Sequence, residues 1–338
     1  MQETINVAII GASGYTGLEL LKILTVHPRF KIRYVGTSEG GEDIIAMHPS
    51  LKNVVSGKAE KSEADAIANV ASLAFLALPH QASMGFAKKL LALGVKVIDL
   101  SADYRLTQSV YEAHYCPHED PLNLSHAVYG LPEFYRKPLA SASLVANPGC
   151  YPTATLLALV PFLPYMRPQA PIIVDAKSGI SGAGKKPNPV TQFVSINENM
   201  MAYNPLSHRH EPEIKEQLFK HGGEQKQICF VPQLIPVTRG MLVNAYVQLK
   251  ESIDPIAVLE AYYANEPFVR IRREPVSLKA TAGSHFCDIF AKEKEGVLFL
   301  SSSIDNLLRG ASSQAVVNAN IMCGLDEYMG IPTLSYVP

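Results

Sequence analysis

Short apolar runs alternate with helical spacings along the first hundred residues. Ile5 to Ile10 is apolar at nearly every position, as expected of a strand buried on both faces. Leu18, Leu21 and Leu24 then recur at helical spacing until His27-Pro28 stops the pattern. Lys31 to Val35 reads as a second strand, and residues 40–70 carry no clear period. Leu73 to Leu78 is another buried strand, followed by a helix over Ala82–Leu93 that ends at Gly94, and by a strand over Val95–Leu100. Leu144 to Ala146 reads as one more strand. Strand, helix, strand in this rhythm predicts a doubly wound parallel sheet.

Past residue 150 the rhythm changes. Ala154 to Val160 is an apolar run of helix formers, and the four prolines between Pro161 and Pro171 predict a stiff connector. Strands are expected at Ile172–Lys177, Ile228–Val231, Met241–Leu249, Phe286–Ala291 and Val297–Ser302. Helices are expected from Pro212 to His221 and from Asp254-Pro255 through Ala264. More strands than helices predict an α+β domain with one large sheet. A last helix, Ala311 to Met322, is placed to return to the first domain. The chain is expected to divide into residues 1–149 with 306–338, and residues 150–305.

Composition narrows the function by exclusion. With 30 basic and 31 acidic residues and a net charge of −1, nothing suggests a nucleic acid or a membrane surface as partner. The five cysteines include no C-x-x-C pair, which argues for a reducing compartment rather than a disulfide framework. Met1-Gln2-Glu3-Thr4 lacks the basic stretch of a signal peptide, and no apolar run approaches a membrane span of ~20 residues. A cytoplasmic protein is expected.

The first strand runs directly into Gly11-Ala12-Ser13-Gly14-Tyr15-Thr16-Gly17 and then a helix. Glycines there let the backbone approach a pyrophosphate that the helix N-terminus faces, so Gly11, Ser13, Gly14, Tyr15, Thr16 and Gly17 are expected to bind a dinucleotide in a Rossmann-type domain. The second strand ends in Gly36-Thr37-Ser38 with no acidic residue at its tip. Small hydroxyls suit a ribose 2′-phosphate better than a 2′-hydroxyl, so Thr37 and Ser38 favour NADP, although Glu39 follows.

Asn147-Pro148-Gly149-Cys150-Tyr151-Pro152-Thr153 is a turn delivering the chain into a helix, with Pro152 suited to the first turn. A cysteine at a helix start lies among free N–H groups, which favour thiolate and stabilise an oxyanion. A small buried core cysteine is the competing reading. Arg105, in Asp99-Leu100-Ser101-Ala102-Asp103-Tyr104-Arg105, offers a fork of donors for a phosphate or carboxylate, or a loop ion pair with Asp103. His208-Arg209-His210-Glu211-Pro212-Glu213 combines a general base, an anion clamp and an orienting carboxylate at a helix start. His114, Cys116 and His118 alternate without a fourth ligand and read as a surface loop rather than a metal site. Ser178 to Lys185, rich in glycine and serine, can lie against a ligand but lacks P-loop spacing.

Seven stretches in order are similar to the semialdehyde dehydrogenase superfamily and, within it, to the N-acetyl-γ-glutamyl-phosphate reductases of arginine biosynthesis. They are Gly11–Gly17, Asp99–Arg105, Tyr129-Gly-Leu-Pro-Glu133, Asn147–Thr153, Ser178-Gly-Ile-Ser-Gly-Ala-Gly184, His208–Glu213 and Asp305-Asn-Leu-Leu-Arg-Gly-Ala311 through Val316. The resemblance implies an α/β fold whose first domain binds NADP and whose second serves catalysis and oligomerisation, as a homodimer or homotetramer. It implies NADPH-dependent reduction of an acyl phosphate to an aldehyde, with Cys150 as nucleophile and His210 as base. Arg105, Ser101, Arg209 and Glu213 would hold the substrate, and Ser181, Gly182 and Asn306 would line the nicotinamide. One departure is Glu39-Gly40-Gly41, where an arginine is expected for the 2′-phosphate. Aspartate-semialdehyde dehydrogenases carry a histidine that Ile235-Pro236-Val237-Thr238-Arg239-Gly240-Met241 lacks. A reductase acting on the longer aminoadipyl substrate, and a silent NADP-binding regulator, stay open.

Overall fold

The computed structural model describes residues 4–336, so Met1 to Glu3, part of the stretch read for a signal peptide, lie outside it. The chain divides into two compact units, residues 1–148 with 311–332, and residues 149–310 with 333–338. The first unit contains β1 (Ile5–Ile10), β2 (Phe30–Thr37), β3 (Glu60–Lys61), β4 (Leu73–Leu76), β5 (Lys96–Asp99), β6 (Val128–Tyr129) and β7 (Leu144–Ala146). They form one sheet in the order β3-β2-β1-β4-β5-β7-β6, every pairing parallel. Helices Tyr15–Thr25 and Ser83–Ala92 are the crossovers that a parallel sheet requires. Ala8, Ile10, Ala74, Leu76, Met84, Leu90 and Val97 pack together in its core.

The second unit contains β8 (Ile172–Gly179), β9 (Met201–Ala202), β10 (Ile228–Ile235), β11 (Met241–Gln248), β12 (Val269–Ile271), β13 (Cys287–Lys294) and β14 (Val297–Ile304). Their sheet has the order β12-β13-β14-β11-β8-β10-β9 and is mixed: β8 pairs parallel with β10 and antiparallel with β11. Strict alternation of burial along β10 and β11 places one face of each strand inward. The helix Cys150–Leu159 lies in this unit and is buried at every position after Cys150.

Two sequence expectations change here. The proline-rich segment is no plain connector, because Val160–Tyr165 continues the preceding helix as a 3₁₀ turn with Pro161 near its start, where proline costs no hydrogen bond. The boundary expected between residues 305 and 306 falls at 310/311. The carboxylate of Asp305 is held within the second unit by Arg239 and by the amide of Gly283. The chain end also belongs to the second unit from Thr333 onward, where Ser335 donates to the carbonyls of Lys279 and Ala282. The helix Ser312–Met322 belongs to the first unit.

Candidate active site

In the first unit, β1 delivers the chain into Gly11 at a φ of +85°, where a Cβ would stand 2.3 Å from the carbonyl oxygen of Ala77. A Cβ on Gly17 would meet the Gly11 carbonyl at 2.6 Å, so both glycines are dictated by backbone packing. Gly14 differs: its Cβ would have only the Gly11 carbonyl oxygen, at 3.9 Å, within contact range. It caps the helix Tyr15–Thr25 without a side-chain hydrogen bond, and the first turn holds no acidic residue. Helices starting at Ile44 and Pro255 are instead capped by the carboxylates of Asp43 and Asp254. An uncapped N-terminus with open space beside it fits a pyrophosphate. Ser13 and Tyr15 are exposed and Thr16 is half-buried.

Two residues that sequence reasoning missed hold this turn. His48 donates from Nε2 to the Ala12 carbonyl at 2.7 Å, and Ser312 donates from Oγ to the Thr16 carbonyl at 3.0 Å. At the end of β2, Thr37 is buried and its Oγ1 accepts from the Gly40 amide, while Ser38 and Glu39 are exposed. Gly40 has a φ of +71° and lies against β3, where a Cβ would meet the Lys61 nitrogen at 2.4 Å. That turn has no room at position 40 for the arginine expected near here.

The Asp99–Arg105 loop works mainly as scaffold. Ser101, expected on the substrate, is buried; it donates to Asp99 Oδ2 at 2.7 Å and accepts from the Asp103 amide. Asp103 accepts from the amides of Gln81, Ser83 and Met84, supplying from another loop the cap that the helix Ser83–Ala92 lacks. Asp99 accepts from Ser83 and Ser101; burial, and next the Asp103 carboxylate, push its carboxyl up to about 6. His118, expected in a surface loop, is buried, donating to the Asp103 carbonyl and accepting from the Asp120 amide. Arg105 is 6 % exposed and donates to the carbonyls of Asn147 and Leu100, each at 2.7 Å. Asn147 is further fixed by the Asn318 amide, 3.0 Å from its Oδ1, and by its own donation to the Ala311 carbonyl.

In the second unit Cys150 is the first helical residue, preceded by Gly149 as N-cap. Glu213, 2 % exposed, accepts the Gly149 N–H on Oε1 at 2.9 Å. Gly310 lies so close to Cys150 that a Cβ on it would stand 2.6 Å from the Cys150 Cβ. The helix His210–Gly222 begins at His210, two residues before the expected Pro212. The rings of His208 and His210 both meet Tyr151 edge-on, at 5.6 and 5.9 Å between centroids. His208 also packs on Tyr203 and Phe230, and its Nδ1 accepts the His210 amide. Burial, and next the neighbouring Arg209 charge, hold its imidazole down at about 4, so it is neutral at physiological pH. Arg209 is exposed. Asn306 donates to the Ser181 Oγ at 3.0 Å and accepts from the Gly240 amide, joining two residues expected on the nicotinamide; Gly182 beside them is exposed. Among the described residues, no group of three or more His, Cys, Asp or Glu is arranged to hold a metal ion.

A parallel-sheet unit with a glycine turn at its first strand, and a mixed-sheet unit whose first helix begins with a cysteine, define a class. The chain belongs to the semialdehyde dehydrogenase family of oxidoreductases: its NAD-binding domain model matches residues 6–142 and its dimerisation domain model residues 150–306. An N-acetyl-γ-glutamyl-phosphate reductase of Sulfurovum sp. (strain NBC37-1) is 58% identical over 99% of this chain and 100% of its own length. One of Wolinella succinogenes is 55% identical, covering 99% of each chain. Among solved structures, aspartate semialdehyde dehydrogenase II from Vibrio cholerae, complexed with ASA, has a TM-score of 0.74 at 17% identity. That match covers 96% of this chain and 99% of the other, and it establishes the fold. Among the described residues no helix is long and apolar enough to cross a membrane.

Proposed function

We propose that this chain reduces N-acetyl-γ-glutamyl phosphate to N-acetyl-L-glutamate 5-semialdehyde with NADPH, as a cytoplasmic step of arginine biosynthesis. The observation that carries the reading is Cys150 at the start of a buried helix, its preceding amide fixed by Glu213, in a chain whose relatives over its whole length carry that enzyme's name. The nicotinamide, when bound, supplies the hydride. Cys150 attacks the acyl carbonyl; the carbon–sulfur bond forms as the carbon–oxygen bond to phosphate breaks, giving a thioester and inorganic phosphate. The positive end of the helix that begins at Cys150 stabilises the oxyanion of the addition. After reduction the thiohemiacetal collapses, the carbon–sulfur bond breaks, and aldehyde leaves.

His210 takes the thiol proton at the first step and returns a proton at the forming alkoxide, while His208, held neutral, packs the site. Arg105 holds the leaving phosphate, and Arg209 serves the substrate carboxylate. Glu213 acts by holding the Gly149 amide beside the nucleophile, and Ser101 acts through Asp99, neither touching the substrate. The first unit binds NADP through Gly11, Ser13, Gly14, Tyr15, Thr16 and Gly17, with Thr37 and Ser38 toward the 2′-phosphate. Ser181, Gly182 and Asn306 line the nicotinamide. The second unit carries catalysis and the interface of a homodimer or homotetramer, a reading supported by its match to a dimerisation domain.

The test is turnover with N-acetyl-γ-glutamyl phosphate, N-acetyl-aminoadipyl phosphate and aspartyl phosphate in parallel, followed by NADPH oxidation. Mass spectrometry of the quenched enzyme should find the acyl group on Cys150, and Cys150→Ala should lose both acylation and turnover. A higher kcat/KM for either other substrate would overturn the assignment.

A further inference from the structure

The segment Asp305–Gly310 closes on the nucleophile, and one turn of the chain holds both its ends. At the first end, Asp305 is completely buried and accepts from the Gly283 amide at 2.7 Å, from the forked guanidinium of Arg239, and from the Leu307 and Leu308 amides. At the other end, Arg309 and His285 are both completely buried, and Arg309 Nη1 donates to His285 Nε2 at 2.7 Å. Gly283 and His285 are two residues apart. Between the two anchored ends lies Asn306, and beyond Arg309 comes Gly310, packed on the Cys150 Cβ.

A guanidinium stays charged at every pH a protein survives, and burying it is costly unless its donors find acceptors. His285 can accept only as the neutral tautomer protonated on Nδ1. Burial, and next the Arg309 charge, hold its imidazole well below the usual histidine range, which keeps the ring neutral, and the donation from Arg309 to Nε2 selects the tautomer. Phe268 stands edge-on to the ring at 4.5 Å and limits its rotation.

We propose that His285 and Arg309 are a positioning pair for the nucleophile: their contact fixes the backbone at Gly310, and so the wall against which the Cys150 side chain is set. This deepens the reductase reading and rests on it only for the kinetic part of the test. Misplacement of a reacting group by about 1 Å can cost on the order of 10²-fold in rate, without weakening substrate binding.

Two readouts test it on the full chain: steady-state kinetics, and the rate of Cys150 alkylation by iodoacetamide followed by peptide mass spectrometry. In His285→Leu, which removes the acceptor, kcat and the alkylation rate should each change by about tenfold or more, with KM for both substrates within about twofold of the parent. His285→Gln, whose carbonyl can accept from Arg309, should recover most of both. Smaller changes in His285→Leu, or a loss that resides in KM, would overturn the proposal, as would a glutamine variant as impaired as the leucine one. If His285→Leu does not fold, Arg309→Lys decides. It keeps the charge but loses the fork, and parental kcat and alkylation in that variant would overturn the pair's role. The alkylation readout needs no substrate. Absent turnover in the parent would therefore refute the proposed reaction while leaving the positioning claim testable.

Discussion

The carboxylate of Glu213 accepts the backbone N–H of Gly149 at 2.9 Å, so an acid three residues into one helix fixes the residue that begins another. Removing it strands a buried amide, which costs about 1–3 kcal/mol. Glu213→Ala should lower the unfolding free energy by that amount, whereas Glu213→Gln, which keeps an acceptor oxygen, should stay close to the parent. Denaturant melts of the two variants check this. Equal stabilities for alanine and glutamine would show that the bond to Gly149 contributes nothing.

His208 and His210 flank Tyr151 but differ in environment. With its imidazole held down at about 4, His208 is neutral near pH 7 and a weaker base than an ordinary histidine. His210→Asn should reduce kcat on the order of 10²–10⁴-fold, the usual loss for a general acid or base. His208→Asn should act mainly on KM and on stability through the lost packing on Tyr151, Tyr203 and Phe230. Steady-state kinetics with the opposite ranking would reassign the base.

Gly11 is the backbone hinge of the nucleotide turn, at positive φ and hard against Ala77. Gly11→Ala should weaken dinucleotide binding at least about tenfold, because the turn must move to admit the methyl group. Ser38→Asp should erode the preference for NADPH over NADH by placing a carboxylate near the 2′-phosphate. Fluorescence titration of both nicotinamides gives both answers. Equal affinity for NADH and NADPH in the parent would refute the reading of Thr37 and Ser38.

The buried Asp99 carboxyl titrates higher in the folded protein, at about 6, than the 3.8 of its free form. A raised folded value means the native state holds the proton more tightly. The stabilisation is therefore complete below about pH 4 and is lost as pH rises from there through about 6. The loss is on the order of 3 kcal/mol. Asp99→Asn mimics the protonated carboxyl: it keeps the oxygen that accepts from Ser83, replaces the one that accepts from the Ser101 hydroxyl by an NH2 donor, and removes the titration. Its stability relative to the parent should thus improve between about pH 4 and 6.5. A difference that does not vary with pH would place the titration elsewhere.

Much of this architecture could be read from the chain. β1, β4 and β5 were legible because a parallel strand covered on both faces leaves an unbroken apolar run. The glycine turn was legible because Gly11 and Gly17 meet backbone that no other residue would tolerate. Residues 40–70 were opaque because their elements are short, such as Ile44–Met47 and Glu60–Lys61, too brief to show a period. His48 was lost with them. The Ser101 bond to Asp99 was not legible, because a hydroxyl near a strand's C-terminal end looks the same from sequence whether it faces a substrate or a buried carboxylate. Asn318 escaped notice because it sits on a completely buried helix, where its amide serves Asn147 and Gly130 rather than solvent.

The split of the first unit into residues 1–148 and 311–332 has a consequence for synthesis on the ribosome. Asn147, in the turn before Cys150, is tied to Ala311 and Asn318, which follow it by 164 and 171 residues. At about 5–20 residues per second, those partners are translated on the order of 10–30 s after Asn147 itself. Throughout that interval the nascent nucleotide-binding half lacks its final, wholly buried helix, while residues 149–310 of the second unit are translated. Newly made chains therefore pass through a stage that the full-length protein refolding from denaturant need never visit.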